Sequence, residues 1–232
     1  MRRAIPIVVL VCVIFAPSAA LGQTRPQPRP SPPARTPPPK KPRLGVRAYG
    51  FYEFEALAAS KTFDAVTGSS TLNGFGGGVE VTNIWRKAFV RMTFAHGGKD
   101  GQRVFVNNGT VFLLGIPLHV GMTPIELGGG WRTTVDKKGL TGAYAGAGVV
   151  FLSYSETTTG AGATSADDTS QTFTGYTIFG GVDRTFHKYL VAGVEAQYRG
   201  LPNAIGSAGV SQTYNETNLG GFAIRALFGI KR

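Results

Sequence analysis

The 232-residue chain is 16% charged and holds 33 glycines, against a usual quarter of charged residues and about half that glycine frequency. Such a composition is poor in helix formers and favours strands with tight bends and close backbone approaches. The net charge of +11 would suit a nucleic-acid partner, but its location and an export signal exclude that class.

Residues 1–22 read as a signal peptide. Arg2 and Arg3 form a positive n-region and Ile5 to Phe15 an apolar stretch; Ser18-Ala19-Ala20 or Ala20-Leu21-Gly22 offers small residues for cleavage. Pro17 interrupts the apolar run after about a dozen residues, short of the roughly 20 that a membrane helix needs. The single cysteine, Cys12, falls inside this segment. Val11 stands before it, where a lipoprotein signal needs a small residue, so the exported chain is expected to have no disulfide or thiol chemistry.

Residues 23–42 form a Pro-rich basic periplasmic leader, expected as an extended polyproline spacer. Arg25, Arg29, Arg35, Lys40, Lys41 and Arg43 fall between residues 23 and 43, which hold no acid. The positive charge therefore belongs largely to this leader. Its simplest role is a solvated linker; an anionic periplasmic polymer or lipid headgroups are its expected electrostatic partners, and a partner domain that reads Pro-rich segments is a further one.

From residue 43 to 232 the pattern changes to period-2 alternation. Strands are predicted at 43–55, about 72–83, 88–97, 118–134, 140–155, 172–184, 190–199 and 219–231. Short links fall near 84–87, 135–139 and 185–188, whereas long ones span about 56–71, 98–117, 156–171 and 201–215. Alternating short and long connections are the mark of an outer-membrane barrel with periplasmic turns, and an even strand count returns both termini to the periplasm. Asn108-Gly109 between two apolar runs reads as a hairpin tip, which extends the third and fourth strands outward. Pro117 and Pro124 require bulges or irregularity in the fourth. The fold class is thus all-β: an antiparallel up-and-down transmembrane β-barrel of about eight strands.

Continuing the alternation gathers Arg47, Glu53, Glu80, Arg91, Glu126, Arg132, Asp183, Glu195, Arg199 and Arg225 on one kind of face, mixed with glycines. The opposite face, with Phe75, Val79, Val90, Met92, Phe94, Ile178 and Val182, is apolar. Charge inside and hydrocarbon outside suit a barrel whose solvent is lipid, whereas a soluble barrel inverts them. Balanced arginines and carboxylates can neutralise one another in a lumen that eight strands leave only just wide enough for side chains. The ten residues are therefore expected as a barrel-interior charge network that plugs the cylinder, with an ion or proton pathway as the alternative. Tyr52, Phe54, Trp85, Trp131, Tyr154 and Tyr189 fall near strand ends and are candidates for interfacial girdles.

No catalytic, cofactor-binding or metal site is expected. The three histidines, His96, His119 and His187, lack helical zinc spacing, and no nucleophile elbow or phosphate-binding glycine signature appears. His96 with Ser153 or Ser155 and Glu156 is the one constellation weighed for lipid hydrolysis. Asp167-Asp168 is weighed as a cation site in a solvated loop.

With the barrel in view, residues 43–232 resemble the small outer-membrane β-barrel domain proteins, the superfamily of the outer-membrane protein A transmembrane domain and of protein W. Ala143-Tyr-Ala-Gly-Ala-Gly148, Gly193-Val-Glu-Ala-Gln-Tyr-Arg199 and Asn218-Leu-Gly-Gly-Phe-Ala-Ile-Arg225 carry the resemblance. It implies a bacterial outer-membrane location, with outer-membrane lipid and the barrel-assembly machinery as partners. The chain departs from the group at its end, Phe228-Gly-Ile-Lys-Arg232, where many members carry a terminal aromatic residue. The expected function is a non-enzymatic structural or surface-interaction barrel. A narrow channel for small or apolar solutes is the alternative, and a lipid-modifying enzyme the third.

Overall fold

The computed structural model describes residues 44–159 and 168–232. The signal peptide, the leader and Asp167 lie outside the described residues. In chain order the elements are β1 (Gly45–Leu57), α1 (Ser60–Thr67), β2 (Thr71–Thr82), β3 (Ala88–Asn107), β4 (Thr110–Thr134), β5 (Thr141–Thr158), β6 (Thr169–Thr185), β7 (Leu190–Gly200), α2 (Gly209–Thr213) and β8 (Gly221–Lys231).

The strands close into one barrel in which each pairs antiparallel with its sequence neighbours and β8 returns to β1. No sheet edge is left open over the common height, which satisfies the backbone without help from water. β1, β2, β7 and β8 run 13, 12, 11 and 11 residues, close to the 9–11 that a tilted strand needs to cross hydrocarbon. The links β2–β3, β4–β5 and β6–β7 are short, and with Leu44 and Arg232 they mark the short-turn end. The other four connections form the long-loop end.

β3 and β4 continue past their neighbours as a hairpin whose tip is Asn108-Gly109, both at positive φ (48° and 78°). That pair suits the tight turn whose two central residues are left-handed. Pro117 pairs with Gln102 next to a register shift, and Gly115 takes a left-handed φ of 68° there, so the missing N–H is absorbed by a bulge. Pro124 keeps the register and pairs with Leu152 on β5; it produces no bulge.

Two of the segments expected as loops contain helices. α1, within 56–71, buries Phe63, and α2 lies within 201–215. Glu216 ties the two loops together: its carboxylate accepts the N–H groups of Lys61 (3.0 Å) and Thr62 (2.8 Å) and the Thr62 hydroxyl (2.7 Å). These are the donors that the first turn of α1 leaves unpaired.

Candidate functional site

All eight strands turn apolar side chains outward. Phe54, Phe75, Phe94, Leu127, Phe151, Ile178, Val194 and Phe228, one from each, are all exposed. A soluble monomer rarely exposes more than a few hundred Å² of contiguous apolar surface; here the apolar surface runs round the whole wall. Tyr52, Trp85, Trp131 and Tyr189 also point outward. Tyr154 corrects the girdle expectation, because it packs inward against the lumen's apolar cluster and donates its hydroxyl to Glu156 at 2.5 Å.

The ten sequence-selected charges lie inside. Glu53, Glu80, Arg91, Glu126, Asp183, Glu195, Arg199 and Arg225 are buried, and the side chains of Arg47 and Arg132 keep 14% and 18% exposure at the short-turn mouth. Register explains part of their meeting: Glu53 on β1, Arg225 on β8 and Glu195 on β7 are consecutive cross-strand partners. Arg225 bonds to Glu53 at 2.5 Å and to Glu195 at 3.2 Å.

Other pairs cross the lumen and join strands that are not neighbours. Arg91 on β3 reaches Glu195 on β7 at 2.5 Å. Arg199 on β7 reaches Glu53 (2.7 Å) and Glu55 (2.6 Å) on β1 and Glu126 (2.8 Å) on β4. Arg225 also bonds to Glu126 at 3.0 Å. Nearer the short turns, Arg132 on β4 bonds to Glu80 on β2 at 3.0 Å and to Asp183 on β6, and Arg47 on β1 reaches Asp183 at 3.0 Å; its 3.4 Å bond to Glu80, by contrast, joins cross-strand partners on adjacent strands. Ladder hydrogen bonds hold only adjacent strands, so these struts are what brace opposite walls.

Glu126 is the hub. Besides the two arginines, its oxygens accept the Thr93 hydroxyl at 2.9 Å and the Gln197 amide at 2.6 Å. Each buried acid that keeps its charge needs such partners, since an unpaired ion in a dry interior is costly. Glu55 belongs to the network although it was not among the ten; its place on the same face of β1 as Glu53 was the available signal.

Aromatic rings fill the gaps between charges. The Arg91 guanidinium lies 3.2 Å from the Phe179 ring centre, Arg132 lies 4.5 Å from that of Tyr144, and Arg225 lies 4.3 Å from that of Phe51. Inner-face glycines make room for these rings. A Cβ at Gly146 would stand 2.6 Å from Phe179 Cζ, and one at Gly76 2.6 Å from Phe51 Cζ.

Toward the long loops the lumen turns apolar. Leu57, Leu72, Leu118, Val120, Met122, Val150, Leu152, Leu201 and Leu219 pack together with Ala59 and Phe63 from the α1 region. This cluster was not foreseen, though Leu118, Val120 and Met122 share the inner face of β4 with Glu126. The middle of the lumen holds two small voids, one of about 20 Å³ beside Arg47, Arg91 and Arg132 and one of about 10 Å³ beside Glu53 and Arg199. Wider hollows open at the mouths, about 630 Å³ beside Arg132 and Asp183 at the short-turn end and about 400 Å³ beside Phe63, Leu118 and Leu219 at the long-loop end. A single water needs about 10–15 Å³ by such a measure.

The constellation weighed for lipid hydrolysis does not assemble. His96 sits on the outer wall, its Nδ1 2.9 Å from the Thr123 hydroxyl, and Ser153, directly opposite Thr123, is exposed on that wall. Glu156, by contrast, lies inside with Tyr154. Among the described residues no group of three or more His, Cys, Asp or Glu is arranged to hold a metal ion, and no helix is long and apolar enough to cross a membrane.

An apolar outer wall around a closed, charged interior defines the class: a small transmembrane β-barrel of the bacterial outer-membrane type. No protein-family model matches the chain, and no curated protein matches it in sequence. Among solved structures, the attachment invasion locus protein Ail of Yersinia pestis, in complex with the heparin analogue sucrose octasulfate, is similar at 9% identity and a TM-score of 0.49, over 82% of this chain and 98% of that one. The outer membrane protein OprG of Pseudomonas aeruginosa is similar at 13% identity and 0.48, over 83% and 97%. The N-terminal barrel domain of OprF from the same organism is similar at 11% and 0.42, over 81% and 97%.

Proposed function

We propose that this chain is a non-enzymatic, non-conducting outer-membrane barrel whose interior is a fixed plug and whose long-loop end is its contact surface. The carrying observation is the filling of the lumen. An ion network spans its middle and an apolar cluster lies across it toward the long loops; the voids between them measure about 20 and 10 Å³, and the wider hollows, about 630 and 400 Å³, stay at the two mouths. No solute larger than water fits the inner voids. Short turns and both ends of the barrel lie on the periplasmic side in this reading, with α1, α2 and the β3–β4 hairpin outside.

The ten selected charges with Glu55 act as braces that hold opposite walls at fixed separation. Outer-membrane lipid is the barrel's solvent, and the barrel-assembly machinery its route of insertion. The basic leader, beyond the described residues, is a tether with affinity for anionic periplasmic polymer.

Planar-bilayer recording of the refolded protein tests the plug. The expected result is no steady conductance above that of the bare bilayer. Large, steady single-channel currents would replace the plug with the narrow-channel reading.

A further inference from the structure

The charges outside the lumen are sorted by end. Arg86 and Lys87 in the β2–β3 turn, Lys137 and Lys138 in the β4–β5 turn, Arg184 and Lys188 flanking the β6–β7 turn, and Lys231 and Arg232 all lie at the short-turn end. Seven of the eight are exposed and Lys231 is half-buried. Among the described residues none of the eight forms an ion pair. Lys87 and Lys231 donate to neutral threonine hydroxyls, at 3.1 and 2.7 Å.

Among the described residues Asp136 is the one acid outside the lumen on this rim; its carboxylate accepts the N–H groups of Thr141 (2.8 Å) and Leu140 (3.1 Å) in its own turn, and Arg184 acts on it only through its charge, with no ion pair formed. The long-loop end is different. There Lys61, Lys99 and Arg103 stand with Asp64, Asp100, Asp168 and Glu216, and Glu156 lies just inside the same end.

The rim cations stand beside side chains that belong in a membrane interface. Arg86 lies 5.2 Å from the ring centre of Trp85, and Lys188 lies 5.0 Å from that of Tyr189. Trp85, Trp131 and Phe186 are exposed by 64%, 66% and 68%, and Arg184 follows Val182 on the outward face of β6. Aromatic rings mark the depth of the headgroups. Cations at that depth meet lipid phosphate rather than a polymer farther from the bilayer.

We infer that the short-turn rim is a ring of binding sites for the phosphodiester headgroups of anionic phospholipids. The inference rests on the transmembrane reading of the barrel. The rim thus recruits a shell of anionic lipid in one leaflet, which holds the barrel's depth and orientation electrostatically. The lumen network takes no part, because its arginines already face carboxylates.

The chain's two tryptophans, Trp85 and Trp131, both stand on this rim and report its lipid contacts. The full chain is refolded into phosphatidylcholine vesicles that carry either brominated phosphatidylglycerol or brominated phosphatidylcholine at equal mole fraction. The brominated anionic lipid is expected to be enriched about fivefold at the rim, the effect of one cation near a charged lipid surface, and to quench correspondingly more.

Replacing Arg86, Lys87, Lys137, Lys138, Arg184 and Lys188 by Gln should bring the two lipids level. Lys137→Gln with Lys138→Gln, in a Trp85→Phe background, reads the β4–β5 corner alone through Trp131. Equal quenching in the unmodified protein overturns the inference while leaving the transmembrane reading intact. Quenching by neither lipid overturns the transmembrane reading itself. A preference that survives when Lys231→Gln and Arg232→Gln are added to the six substitutions overturns the rim's role and assigns the anions to the leader. Co-sedimentation with peptidoglycan that the six substitutions abolish, with no lipid preference, overturns it in favour of a polymer.

Discussion

Replacing Arg225 by Met tests whether the lumen network braces the barrel. Arg225 is 1% exposed and bonds to Glu53, Glu126 and Glu195 at 2.5, 3.0 and 3.2 Å. Its loss does not strand three acids: Glu53 and Glu126 keep Arg199 at 2.7 and 2.8 Å, and Glu195 keeps Arg91 at 2.5 Å. The penalty is therefore that of one broken buried pair, about 3–5 kcal/mol, not a multiple of it.

Arg91, Arg199 and Arg225 face Glu53, Glu55, Glu126 and Glu195 in the wild type, so the variant has two arginines against four acids. Adding Glu126→Gln lowers that excess, and the pair should be coupled by about 1–3 kcal/mol. Urea titration of the refolded protein, with folded and unfolded forms separated by their migration without heating, gives each free energy. A loss under about 1 kcal/mol for Arg225→Met, or strict additivity in the double variant, would refute the bracing argument.

Three further outcomes are expected. Gly146→Ala drives a methyl to within 2.6 Å of Phe179 Cζ and against the Gly129 carbonyl; it should cost about 1–3 kcal/mol in the same titration, only partly recovered by Phe179→Leu because the carbonyl clash remains. Glu216→Ala removes the acceptor for the Lys61 and Thr62 N–H groups, so both amides should exchange faster, with about 1 kcal/mol lost from α1. In the β4–β5 turn, hydrogen bonds from Thr141 and Leu140 hold the Asp136 carboxyl below its ordinary value. The stabilisation is thus complete above the unfolded value near about 4 and lost as pH falls through the lower folded value; Thr141 amide protection, corrected for intrinsic exchange, should stay flat from neutral pH to about 5 and weaken only below about 4.

Much of the fold was legible because a strand's side chains alternate strictly. Glu53 places every second residue of β1 inside, and the same rule carries along β4 from Glu126 to Arg132. The Asn108-Gly109 tip was legible for a different reason, since both residues accept left-handed backbone. Partners across the lumen were not legible. Arg91 has Glu80 as its cross-strand neighbour yet bonds to Glu195, a choice set by the barrel's bore and tilt, which no local pattern encodes. The helices were hidden because α1 spans eight residues with one buried anchor, Phe63, too short a stretch for periodicity to stand out. Tyr154 lies inside because it shares the parity of the buried Leu152 on β5, and nearness to a strand end does not decide which face a residue takes.

The order of layers inside the barrel bears on how the plug behaves. The apolar cluster under α1 and α2 lies between the ion network and the long-loop surface, so water from that side does not reach Glu55 and Arg199 without displacing leucines and Phe63. Excluding water strengthens each charge pair beneath it. From the short-turn side the first charges met are Arg47 and Arg132, each held by both Glu80 and Asp183. Moving either arginine aside leaves both acids with the other, so the entrance relaxes locally without opening the middle. Deeper in, Arg199 and Arg225 share Glu53 and Glu126, and neither swings free alone. A path through the barrel therefore requires several buried pairs to break together while the apolar seal parts, at about 3–5 kcal/mol for each pair left uncompensated. On the proposed function, thermal opening of that kind is rare enough for the lumen to act as a solid core, which leaves exchange with the surroundings to the loops and the rim.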